Sequence, residues 1–149
     1  MQTLSYVQVI HAPCEHVSKT MLDPEGYKHW TSAFCGGSYY EGSWNEGERI
    51  RFLSPDGGGM TSVIAVHRPA DFLSIKHLGF VTGGVDDVTS EAVRAWAPAF
   101  ENYTFVAVQG GTRLDITVQV LDEYVDYMND AFPKALLLLK SLCEPARRE

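Results

Sequence analysis

The chain has 149 residues, 45% hydrophobic and 21% charged, with 12 basic against 19 acidic side chains and a formal charge of −7. That length suits one domain over residues 1–149 with a core of its own, and the composition excludes a disordered chain. The acidic surplus and the scattered Lys and Arg leave no footprint for nucleic acid and predict repulsion from anionic membrane surfaces.

In chain order, Leu4 to Ile10 ("LSYVQVI") is rich in β-branched and aromatic residues and reads as a strand. "HAPCEHVSKTML" switches to helical spacing, with Pro13 suited to a first helical position and Val17, Met21 and Leu22 on one face. "DPEGYKHW" punctuates that helix through Asp23-Pro24 and Gly26. From Phe34 to Val120 the pattern is an antiparallel meander. "SPDGGG" is a hairpin turn between a strand ending at Leu53 and the strand "MTSVIAVHR", because Asp-Gly and Gly-Gly supply positive φ. "FLSIKHLGF" follows, then the irregular "VTGGVDDVTSEAVRAW", then the hairpin "NYTFVAV"–"TRLDITVQV". In the last strand Leu114, Ile116, Val118 and Val120 alternate with Asp115, Thr117 and Gln119, so one face is buried and the other wet.

Asp122 to Cys143 reads as a long amphipathic helix, with Val125, Met128, Phe132, Ala135, Leu136, Leu139 and Leu142 on its apolar face and Asp122 as N-cap. Pro133 falls inside it. A proline there removes a backbone bond at a cost of about 3 kcal/mol, so a kink following a curved sheet is expected.

Little in the chain points to covalent or metal chemistry. The five histidines form no HExxH or CxxC-type signature, and no metal or cofactor is expected. There is no GxSxG. The glycines of "SPDGGGM" lack the Lys-Ser/Thr of a phosphate loop and lead into a strand. Cys14, Cys35 and Cys143, odd in number and widely spaced, fit reduced thiols. The N-terminus has no basic n-region, and the longest apolar run, Ala135 to Leu139, is far too short to span a bilayer, so a cytoplasmic protein is expected.

The stretch "DPEGYKHWTSAFCGGSYYEGSWNEGERIRFLSPDGGGM", with "SIKHLG" and "FPKALLLLKSLCE", resembles the SRPBCC superfamily of START-like proteins. Within it the chain is most similar to the family named after the activator of the ninety-kilodalton heat-shock chaperone's ATPase. The resemblance spans Leu4 to Glu144. It implies an α+β helix-grip fold, a curved antiparallel sheet wrapped around a long C-terminal helix, often with a hydrophobic cavity between them. Members bind lipids, hormones or polyketides, and some are cyclases or aromatases.

Strand parity then nominates a pocket. If Leu73 and Ile75 face inward, so does His77, placed to orient a ligand's carbonyl or carboxylate. The same parity turns Phe52, Met60, Ser62, Ile64, Tyr103 and Phe105 toward the helix, where Met128, Phe132 and Leu136 meet them. Trp30, Trp44 and Trp96 lie in connections and are expected to rim an opening. Glu101, beside Tyr103, is the one acid suited to a general base if desolvation raises its pKa. Taken singly, each apolar position is more often plain core than ligand contact, and a lone His more often bonds backbone or water. The leading expectation is a binding domain for a small apolar or amphipathic molecule without evident catalytic machinery. Two alternatives stay open: a cyclase- or hydrolase-like enzyme using the pocket, and a homodimeric or chaperone-associated interaction module.

Overall fold

Alternating burial along each strand produces the architecture seen in the computed structural model, which describes residues 1–145. In β8 (Gly111–Val120) the side chains of Thr112, Leu114, Ile116, Val118 and Val120 are buried and their neighbours more exposed, the pattern of a sheet covered on one face. The other strands are β1 (Gln2–Ile10), β2 (Tyr39–Gly42), β3 (Arg49–Leu53), β4 (Gly59–Arg68), β5 (Phe72–Thr82), β6 (Val85–Asp87) and β7 (Ala99–Val108). They form one antiparallel sheet in the order β1-β8-β7-β5-β4-β3-β2, with β6 paired to β5. The first strand closes against the last, Leu4 opposite Val118 and Ile10 opposite Thr112.

Two bulges bend the centre of this sheet. Between β4 and β5, Ser62 pairs with His77 and Thr61 with Gly79, leaving Leu78 as an extra residue on β5. Further along, Ile64 pairs with Ile75 and Val66 with Ser74, leaving Ala65 extra on β4. A bulge turns the strand and resets which residues share a face. That reset puts Phe80 on the same side as His77.

The helices sit on the concave side. Cys14–Leu22 forms α1, with Pro13 just outside as N-cap. Pro24–Trp30 does more than interrupt α1. It is a second helix, α2, because Asp23 accepts from the amides of Glu25 and Gly26 at 3.1 Å each and Pro24 supplies a preset first-turn φ. The segment expected to be irregular is also ordered, holding β6 and a one-turn helix α3 (Glu91–Arg94) capped by the Ser90 hydroxyl. Within it Asp86 pairs with Arg51 at 2.8 Å. Asp87 accepts from the amides of Thr89 and Ser90.

The long helix α4 spans Val125–Cys143, and Asp122–Tyr124 is a 3₁₀ turn ahead of it. Asp122 therefore does not cap the helix; it pairs with the N-terminal ammonium at 3.2 Å. Pro133 lies inside α4 without ending it. Pro133 has no amide to give the Asn129 carbonyl four residues back, and both residues are on the exposed side of the helix. On the opposite side Phe132, Ala135, Leu136 and Leu139 are buried against Ile10, Phe105, Leu114 and Ile116. Tyr6 stacks on Phe132 with ring centres 4.8 Å apart, and its hydroxyl donates to Asn129 Oδ1. Among the described residues no helix is long and apolar enough to cross a membrane.

Close approach of α2 to α1 depends on a missing side chain. A Cβ on Gly26 would lie 2.1 Å from the Thr20 carbonyl oxygen, a backbone atom, whereas one on Gly36 would meet nothing. Helix propensity alone favours Ala over Gly by about 1 kcal/mol. Gly26→Ala should nevertheless lower stability by about 1–3 kcal/mol, the usual cost of overpacking. Gly36→Ala should stay within about 0.5 kcal/mol of wild type, both read by urea unfolding.

Candidate functional site

Between the concave sheet face, α2 and the start of α4 lies a cavity of about 410 Å³. Its walls are mostly aromatic and aliphatic: Tyr27 and Trp30 from α2, Phe34 beyond it, Trp44 ahead of β3, Phe52 on β3, Met60 on β4, Leu73, Ile75 and Phe80 on β5, Trp96, Val118 on β8, and Met128 and Phe132 on α4. The exposed residues of this lining are Cys35, Tyr124 and Tyr127, so the cavity reaches solvent between the Phe34–Cys35 segment and the first turns of α4. Tyr127 donates to the Phe34 carbonyl across that opening.

Of the residues nominated from parity, Trp30, Phe52, Met60, Ile75, His77, Trp96, Glu101, Tyr103, Met128 and Phe132 line the cavity. Ser62, Ile64, Phe105 and Leu136 do not; Ile64, Phe105 and Leu136 lie in the hydrophobic core behind it. The tryptophans depart from the expected rim. Trp30 and Trp96 are 4% and 7% exposed and form inner walls, their indole N–H groups donating to the carbonyls of Met21 and Gln119. They are buried because α2 packs against α1, α4 and β2 and the α3 turn packs against β5, which local sequence in a connection does not reveal. Trp44 is half-buried, and its N–H has no partner among the described residues.

One polar line crosses this apolar interior. Ser62 and His77 are directly opposite on β4 and β5, and His77 is diagonal to Glu101 on β7. Ser62 Oγ lies 2.7 Å from His77 Nδ1, His77 Nε2 lies 3.1 Å from Glu101 Oε1, and the Tyr103 hydroxyl donates to Glu101 Oε2. The ring is further fixed by Trp96 stacked at 5.4 Å and Phe52 edge-on at 5.9 Å, with Phe80 stacked on the far side of Trp96. Both ring nitrogens are thus engaged by protein groups. The His77 ring has no free nitrogen to offer the ligand carboxylate or carbonyl expected there.

Glu101 retains 18% of its side-chain surface, and His77 only 2%. Burial pushes the Glu101 carboxyl up. The hydrogen bond from His77, the positive charge of that ring when protonated, and the Tyr103 hydroxyl outweigh burial and hold it below the ordinary 4.5. This reverses the raised value a general base would need. Burial and then the Glu101 charge push the Tyr103 hydroxyl well above 10, so it remains a donor. Burial, with a smaller push from Glu101, also raises Tyr27. The thiols are free, and burial lifts Cys143 to about 11, which leaves it inert. Among the described residues no group of three His, Cys, Asp or Glu is arranged to hold a metal ion.

With this geometry the chain is similar to several solved structures. Protein CV1439 from Chromobacterium violaceum aligns with a TM-score of 0.69 at 16% identity, over 98% of this chain and all of that one. CalU16 from Micromonospora echinospora aligns at 0.66 and 16%, over 96% of this chain and 76% of its own. The solution structure of the Aha1 dimer from Colwellia psychrerythraea aligns at 0.65 and 20%, over 96% and 94%. At these identities the likeness defines the fold alone: α+β, helix-grip. No protein-family profile matches the chain, and no curated protein matches it by sequence.

The Glu101 charge is linked to stability. Its depressed folded value means its contribution is present above about 4.5, the unfolded value, and is lost as pH falls through the lower folded one. Glu101→Gln should therefore cost about 1–3 kcal/mol at pH 7, the cost of weakening charged hydrogen bonds. In urea unfolding that gap should narrow steadily below pH 4.5.

Proposed function

We propose that the protein binds one small, largely apolar molecule carrying a polar group, taken up between α4 and the sheet. The observation that carries this reading is the cavity of about 410 Å³, open to solvent on one side and largely apolar, with the His77–Glu101–Tyr103 line in its inner wall. Its size falls within the roughly 300–1,000 Å³ range of small-molecule sites, and one convergent polar cluster in an apolar wall is what orients such ligands. The Ser62, Ile64, Phe105 and Leu136 side chains, although outside the lining, support the wall from behind.

One observation favours a second reading, a cyclase- or hydrolase-like enzyme: His77 and Glu101 both line the cavity and bond each other. A relay from Ser62 as nucleophile is not part of it, because Ser62 is fully buried and lies outside the lining. For an interaction module the support is the dimeric Colwellia protein of the same fold, and light scattering on the purified protein tests it directly.

The binding reading is tested with N-phenyl-1-naphthylamine, a neutral fluorophore that brightens in apolar surroundings. It should bind saturably, one per chain, and quench the Trp30, Trp44 and Trp96 emission. Met60→Trp, which places a large ring in the lining, should weaken it at least about tenfold, or 1.4 kcal/mol, while the far-ultraviolet dichroism stays unchanged. Absence of saturable binding to the folded wild type would refute the reading.

A further inference from the structure

We infer that the preferred ligand is a hydrophobic cation, a protonated amine on an aromatic or alicyclic body, whose ammonium group sits against Glu101. This deepens, and rests on, the reading of the cavity as a small-molecule site. The argument starts from the charges that face the cavity. Among the described residues lining it there is no Lys or Arg; the ionisable groups at its inner wall are Glu101, His77 and the two tyrosines Tyr27 and Tyr103.

The hydrogen bonds there close without any cationic protein group. With a neutral His77 ring, the Ser62 hydroxyl donates to Nδ1 and Nε2–H donates to Glu101 Oε1. The Tyr103 hydroxyl donates to the other carboxylate oxygen. All donors then converge on one carboxylate, which remains a net negative charge in an apolar, partly enclosed space. A carboxylate accepts more than two hydrogen bonds, and Glu101 still has open surface on the cavity side. An ammonium would use that capacity and supply the missing charge. An anionic ligand meets the opposite situation: a like charge, no cation, and a histidine with both nitrogens occupied.

The test is displacement of N-phenyl-1-naphthylamine from the full chain by three molecules of one shape: 1-naphthylmethylamine, 1-naphthalenemethanol and 1-naphthoic acid at pH 7. The amine should compete at least about tenfold better than the alcohol, the scale of one charged hydrogen bond, and the acid worst of all. Glu101→Gln should bring amine and alcohol within about twofold of each other, each scored against the probe's own affinity for that variant. Equal competition by amine and alcohol, or stronger competition by the acid, overturns the inference and leaves the binding reading intact. If the probe itself does not bind wild type, both fall. Should Glu101→Gln not fold, the wild-type ranking decides alone.

Discussion

A carboxylate held inside an apolar wall is the constraint on which the arrangement of this protein turns. Moving Glu101 out of water is costly, and the cost is offset only if donors are fixed around it. Those donors come from one other strand and its own: His77 from β5, itself set by Ser62 on β4, and Tyr103 two residues along β7. Three adjacent strands must therefore keep register, since a one-residue slip of any of them sends that strand's member of the line to the convex face. The bulge at Leu78 lets β5 satisfy this line and still return Phe80 to the cavity side.

The rings around His77 convert that register into rigidity. Phe80, Trp96 and His77 are stacked in sequence, and Phe52 meets the imidazole edge-on, so the ring has aromatic neighbours on two sides. Trp96 is tied in turn to the Gln119 carbonyl. A polar line in which every member is bonded specifies its core, whereas a partly bonded one would weaken it. On the other side of the cavity Phe132 is held by Tyr6 and Phe34, which anchors α4 across from the polar line. The space between is kept open because its walls are braced from behind.

Much of this was legible locally. Alternation announced β8 and the inward set Ile75, His77 and Tyr103, because a pleated strand exposes every second side chain to one face whatever its partners. The turn "SPDGGG" formed as its residues require, with Gly57 at φ +84° and Asp56 accepting from Ser54 and Gly58. Where reading failed, a short-range signal had two meanings. Asp23-Pro24 marks both the end of one helix and the N-cap of the next, and only the tight contact permitted at Gly26 makes the second helix pack. Asp122 had the right type for a cap, yet the Met1 ammonium just ahead of β1 claims it.

What the sequence by itself determined, then, is the order and period of the elements, the burial of one face of each, and the absence of a metal or nucleophile signature. Those follow from backbone geometry and side-chain polarity within a few residues. The tertiary structure decided that Ser62, His77, Glu101 and Tyr103 join into one line, that Glu101 is held acidic where desolvation alone would raise it, and that Trp30 and Trp96 are walls. These depend on distances between strands far apart in the chain, and electrostatic energy varies with such distances and with the water excluded between them.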